Sequence, residues 1–148
     1  MFLILSCEKE SSDLIDDLGL VGKWKETIDA QPQGLLIYDL TLNNNAIISL
    51  KISHFGVYFG ESDQDLSAWS EFSGSFEQED PNFLILKSQR YTWWDGFYDM
   101  VNPIIEESNT LVFENCTYKI KNNVLELTYT TYPADAPIET KKELVRVQ

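Results

Sequence analysis

The chain has 148 residues, 43% of them hydrophobic and 13% aromatic, which is enough for one domain with a substantial core and too apolar for disorder. Eleven basic residues stand against 24 acidic ones, a formal net charge of −13. No basic stripe is available to neutralise phosphates, so the balance argues against nucleic acid and against electrostatic docking on anionic lipid; a solvated acidic surface is the plain reading.

Met1-Phe2-Leu3-Ile4-Leu5-Ser6-Cys7 is an apolar run ending in Ser and Cys, followed at once by Glu8-Lys9-Glu10-Ser11-Ser12-Asp13. Crossing a bilayer takes about 20 residues, so this run cannot span one. Ile4-Leu5-Ser6-Cys7 resembles the lipobox of bacterial lipoprotein signal peptides: a branched aliphatic, a tolerant position, a small residue and the Cys. The resemblance implies that residues 1–6 are a signal-peptide remnant, that Cys7 is acylated, and that residues 7–18 form a tether and short helix. The run departs from the pattern in having no Lys or Arg ahead of it and in falling short of the usual apolar stretch of about 7–15 residues, which places Met1 inside the signal. Acyl chains contribute about 0.8 kcal/mol per buried CH₂, so several of them anchor permanently. The expected partner is therefore a membrane, and the expected location is the outer membrane, facing the periplasm or the cell surface.

Ser12 through Leu18 can form one or two helical turns, with Ser12 or Asp13 as N-cap and Gly19 as the stop. Beyond Gly19 the helical period gives way to a period of two. Trp24, Glu26 and Ile28 alternate with Lys23, Lys25 and Thr27, the pattern of a strand. After the turn Gln31-Pro32-Gln33-Gly34, Leu36, Tyr38, Leu40 and Leu42 share one face. Asn43-Asn44-Asn45 tolerates the left-handed conformations of a hairpin, and Ile48, Leu50 and Ile52 share a face beyond it. His54–Phe59 reads as a short strand and Gly60–Asp65 as a polar loop. Phe72, Gly74 and Phe76 mark the next strand, which Glu79-Asp80-Pro81-Asn82 turns into Phe83–Lys87. That strand continues through Arg90-Tyr91-Thr92-Trp93-Trp94 to a hairpin signal at Asp95-Gly96, with a return over Phe97–Val101 stopped by Pro103. Ser108-Asn109 turns into Thr110–Phe113. Tyr118 and Ile120 form an inward pair, Asn122-Asn123 a tight turn, and Leu125, Leu127 and Tyr129 the inward face that follows. A Pro133–Pro137 loop precedes the last strand, which ends at Leu144-Val145-Arg146-Val147.

The pattern predicts eight to ten short antiparallel strands, with no crossover helix to support a parallel sheet; a sandwich and a barrel both fit. Leu20-Val21-Gly22-Lys23-Trp24, Gly74-Ser75-Phe76, Tyr118–Leu127 and Glu143–Val147, in this order, resemble the lipocalin-like lipoproteins of Bacteroidetes within the wider calycin group. The resemblance spans most of residues 19–148. It implies a lipocalin-like, up-and-down β-barrel domain over 19–148, with Gly22, Trp24 and Arg146 closing one end. The physics agrees: Gly permits close approach, the indole plugs the end, and an Arg over its face contributes about 0.5–2 kcal/mol. The implied role is non-catalytic binding of a small apolar or amphipathic ligand by a monomer.

Nothing in the chain selects a catalytic centre, metal site or cofactor. His54 is the single histidine and sits beside Phe55 at a strand end, with no nucleophile elbow to serve. Cys116 reads as a structural thiol, and Cys7 and Cys116 are too far apart for a disulfide framework or metal-ligand spacing. The expected ligand-lining residues are Tyr38, Leu40, Leu50, Phe72 and Phe76, with Tyr118 and Tyr129 from the C-terminal strands. Trp93, Trp94 and Tyr98 join them from an aromatic hairpin richer than folding requires. Alternation sends Trp93 and Trp94 to opposite faces. A filled interior would instead leave that hairpin as a surface module for a partner or an inhibited target. Glu26 points inward beside Trp24 and would need a cation, with Arg146 and Lys142 as the candidates.

Overall fold

The computed structural model describes residues 19–30, 34–56, 65–98 and 100–148, the side chain of Asp80 excepted. Cys7, the 1–6 remnant and the helical turn expected over 12–18 lie outside the described residues. The strands are β1 (Gly22–Asp29), β2 (Leu35–Leu42), β3 (Ile47–Phe55), β4 (Leu66–Asp80), β5 (Phe83–Asp95), β6 (Ile104–Leu111), β7 (Glu114–Lys121), β8 (Val124–Thr131) and β9 (Ile138–Val147). Every pairing is antiparallel. β1 to β5 pair in chain order, β5 meets β7, β7 to β9 pair in order, and β9 returns to β1. Eight strands thus close an all-β barrel, the architecture that the resemblance implies and one of the two that the alternation allows.

β6 stands outside that ring. It pairs with the far half of β5, from Lys87↔Leu111 to Trp93↔Ile104, and β7 takes over the same edge at Phe83↔Thr117. β6 and β7 are in effect one strand broken at Val112–Phe113, where the Val112 N–H donates to Leu86 O at 2.8 Å and the Phe113 ring turns into the core. Only the part beyond the break has β8 as a second neighbour.

Local chemistry sets the turns. Asn43 Oδ1 accepts from the N–H groups of Asn45 and Ile47, both at 3.0 Å, and closes the β2–β3 hairpin. Asn122 and Asn123 take φ of 52° and 61°, the left-handed pair that a two-residue hairpin requires. The Asp95-Gly96 signal does not lead straight into a paired return strand: residues 96–98 form a 3₁₀ turn instead. Asp95 Oδ1 accepts the Phe97 N–H at 2.8 Å, and Trp94 Nε1 donates to Met100 O at 2.7 Å. The return strand begins at Ile104, just past Pro103. Ser108-Asn109, expected as a turn, is a bulge: two residues of β6 face the single Gln89 between Ser88↔Thr110 and Arg90↔Glu107.

Opposed residues in antiparallel neighbours share a face, so the register writes out the interior in rows. One row reads Trp24, Leu40, Leu50, Phe72, Tyr91; the next reads Glu26, Tyr38, Ile52, Ser70, Trp93; a third reads Ile28, Leu36, His54, Ala68, Asp95. The core gathers at the end where β1 begins. There Leu20, Trp24, Leu42, Ile48, Phe76, Leu86, Leu125 and Leu144 are at most 1% exposed. Gly74 lets β4 and β5 cross at close range, since a Cβ there would meet Lys87 O at 2.0 Å and Gln89 N at 2.9 Å.

The same end holds the Gly22–Trp24–Arg146 contact. Arg146 lies directly opposite Trp24 across β1 and β9, its guanidinium carbon 4.1 Å from the indole centroid. Its nitrogens donate to Val21 O at 3.0 Å and to Gly19 O, while Trp24 Nε1 donates to Leu20 O at 2.9 Å. A Cβ on Gly22 would fall 2.6 Å from Arg146 Nη1, at a φ of +152°. One cation and one indole therefore satisfy the carbonyls of the entering chain and bury the ring.

Candidate functional site

The opposite end, where β2, β4, β6 and β9 begin, is lined differently. Parity alone dictates that Glu26 points inward, two residues after Trp24, and that Lys142 does so two residues before Leu144. Two charges inside a barrel are costly unless they meet. They meet: Lys142 Nζ donates to Glu26 Oε2 at 2.8 Å, with side-chain exposures of 9% and 18%. Lys142 Nζ also sits 3.2 Å from the centroid of Tyr38, so the ring face orients the ammonium. Of the two cations that the sequence offers Glu26, Lys142 is the partner, because Arg146 is held over Trp24.

Beside this pair lies Tyr129, its ring 4.4 Å from Phe113. Burial pushes its hydroxyl up to about 12, helped by Tyr38, the Glu26 carboxylate and Cys116, so it is a neutral hydrogen-bonding group at physiological pH. Tyr38 and Ile52, in the row of Glu26, and Phe72, in the row of Trp24, pack on the core yet remain partly accessible. Phe72 and Tyr91 stack at 4.8 Å between centroids, and Trp93 follows Tyr91 on the same face. Further out, His54 and Asp95 occupy the same row; burial lowers the His54 pKa and the Asp95 carboxylate opposes it, leaving a neutral imidazole near pH 7. Ile104 and Glu106 of β6 stand opposite Trp93 and Tyr91 and continue the inner face past the ring.

The residues named from sequence divide three ways. Tyr38, Phe72 and Trp93 face inward and stay partly accessible, Tyr38 and Trp93 in the Glu26 row and Phe72 in the Trp24 row, while Tyr129 is buried. Leu40, Leu50, Phe76 and Tyr118 lie in the sealed core, between 1% and 5% exposed. Trp94 and Tyr98 are outside: Trp94 pairs with Trp69 on the outer face, and Tyr98 is 69% exposed. Lys51 Nζ lies 4.6 Å above Trp69, a cation–ring contact on that outer face. Tyr91 was not singled out as a lining residue, although its parity with Trp93 placed it there. Ser70 and Ile52 carry no sequence signal beyond alternation.

The Cys116 thiol is buried and raised to about 12, so it is protonated at neutral pH, with Thr117 O as its acceptor at 3.8 Å. No group of three or more His, Cys, Asp or Glu side chains gathers among the described residues. What fold and site define is a class: a closed eight-stranded antiparallel barrel, plugged at one end and lined at the other by rings above a buried ion pair. Comparison with protein-family models, curated proteins and solved structures found no match.

Proposed function

We propose that this protein is a lipocalin-like lipoprotein, anchored through Cys7 in the outer membrane, that binds a small apolar or amphipathic ligand at the open end of its barrel without catalysing a reaction. One observation carries the binding reading: the inward rows are sealed around Trp24 but remain partly accessible at Tyr38, Ile52, Phe72, Tyr91 and Trp93. Rings that face inward and still touch solvent form an apolar wall with a few polar groups below it, the usual composition of a small-molecule site. The Cys7 anchor rests on the Ile4–Cys7 pattern.

Two experiments test the two halves. Native mass spectrometry of the purified chain should reveal a co-purified amphipath, and added ligand should quench tryptophan fluorescence in the wild type but far less in Trp93→Phe. A clean apo mass together with no saturable quenching by any amphipath tried would overturn the binding half. Radiolabelled palmitate should enter the chain expressed with its upstream region and not the Cys7→Ser variant; equal labelling of both would remove the anchor.

A second reading has its own support. Phe97 and Tyr98, 56% and 69% exposed, meet edge-to-face at 5.4 Å on the 3₁₀ turn after β5. An exposed aromatic pair is suited to contact a partner protein. A photo-crosslinker at position 98 that yields a defined adduct in cells, lost in Phe97→Ala, would favour it.

A further inference from the structure

We propose that the open end selects an amphipath whose head group is uncharged and hydrogen-bonding, in preference to a carboxylate or an ammonium. This rests on the ligand reading above and specifies the class of ligand. The floor of the site already contains one positive and one negative group, 2.8 Å apart, and the face of Tyr38 is already taken by Lys142. An incoming carboxylate would have to compete with Glu26 for Lys142 and leave one anion unpaired in a poorly hydrated space. An incoming ammonium faces the mirror problem.

A neutral head group faces neither cost. Among the described residues no further hydrogen bond reaches Glu26 Oε1, and Lys142 Nζ has a single carboxylate acceptor for its three N–H groups. The pair therefore presents one acceptor and at least one donor side by side, the complement of a hydroxyl, a glycerol or an amide. Ser70 lies in the same row as Glu26 and Tyr38, and Thr140 stands opposite Tyr129, so further hydroxyls sit near the floor. Asp95 and Glu106 add carboxylates to the inner face and turn an anion away, so the exclusion of an ammonium rests on the pairing of Glu26 with Lys142. Tyr38, Phe72, Tyr91 and Trp93 supply the wall for an alkyl or ring tail.

The test uses the purified full chain and three probes sharing one tail: 1-monododecanoylglycerol, dodecanoate and dodecyltrimethylammonium, each below its micelle concentration. Tryptophan quenching should rank the glycerol ester first, with both ions weaker by about tenfold or more. Glu26→Gln leaves Lys142 unneutralised and should bring dodecanoate to the top; Lys142→Gln should do the same for the ammonium. The double variant Glu26→Gln/Lys142→Gln restores neutrality, keeps the fold free of a lone buried charge, and should restore the wild-type order. A wild type that prefers dodecanoate or the ammonium, or an order unmoved by the single substitutions, would overturn the selectivity while leaving the binding site standing. If none of the three binds while other amphipaths do, the head-group inference fails alone; if no amphipath binds at all, both fail together.

Discussion

The two ends of this barrel use the same elements, an inward cation and an inward ring, to different effect. At the closed end the Arg146 guanidinium covers Trp24 and spends its donors on the carbonyls of the entering chain, so ring and cation disappear into a plug. At the open end Lys142 lies against Tyr38, but its partner is a carboxylate rather than a backbone, and the surrounding rings remain partly accessible. Three residues along β9 separate these cations. The difference lies in what the second partner can do: a main-chain carbonyl fixes geometry, whereas a side-chain ion pair keeps hydrogen-bonding capacity that an incoming molecule can use. One end spends its hydrogen-bonding groups on its own backbone, and the other keeps some of them unspent.

That contrast breaks most sharply at Trp24. Trp24→Ala removes a ring 1% exposed and should cost about 3–5 kcal/mol in urea unfolding, with the midpoint falling accordingly. Trp93→Ala, on a partly accessible wall, should cost about 1 kcal/mol and act mainly on ligand quenching. Similar losses at both positions would show that the open end is core as well. Glu26→Gln leaves a largely buried ammonium without its carboxylate and should destabilise by about 3 kcal/mol, while Glu26→Gln/Lys142→Gln should recover most of that loss. Gly22→Ala forces the Arg146 side chain off its contact and should cost about 1–3 kcal/mol, read by the same denaturation and by an altered Trp24 fluorescence.

Alkaline pH provides a milder probe. The Tyr129 hydroxyl is raised from 10.0 to about 12 and the Cys116 thiol from 9.0 to about 12, both chiefly by burial, so the folded chain holds protons that the unfolded chain has released. Stability from these groups is full below pH 9 and should fall as the pH rises from there to about 12. Tyr129→Phe should flatten the upper part of that fall in denaturant midpoints measured across the range. At the small end, Lys25 and Asp39 form an outward pair at 4.0 Å with side chains 43% and 48% exposed, and Lys25→Ala should stay within about 0.5 kcal/mol. A larger loss there would mean that the outer face matters more to the fold than its exposure implies.

Much of the fold was legible because a strand has only two faces. Once Trp24 is taken as inward, Glu26 and Ile28 follow, and the Asn43–Asn45 and Asn122-Asn123 turns carry that parity into the next strands. The region after Trp94 was misread as a return strand because Asp95-Gly96 supports more than one geometry. The Asp95 carboxylate caps a 3₁₀ turn here, and the Trp94 indole takes the Met100 carbonyl that a strand would have paired otherwise. The position of β6 was not legible at all. Nothing in Ile104–Leu111 distinguishes a strand inside the ring from one attached to the extension of β5, since its exposure on both faces is a consequence of where β5 outruns β8.

Alternation and turn chemistry, both local, determined that the chain would be antiparallel and all-β, that Trp24 and Glu26 would share an inward face, and that Trp93 and Trp94 would take opposite faces. Which of those inward residues became core and which became site was decided only by closure. Ring closure between β9 and β1 brings Lys142 to Glu26 across 116 residues and seats Arg146 on Trp24. A two-residue period records the side of the sheet on which a side chain stands, but not its height along a barrel, and height is what separates the plug from the candidate site.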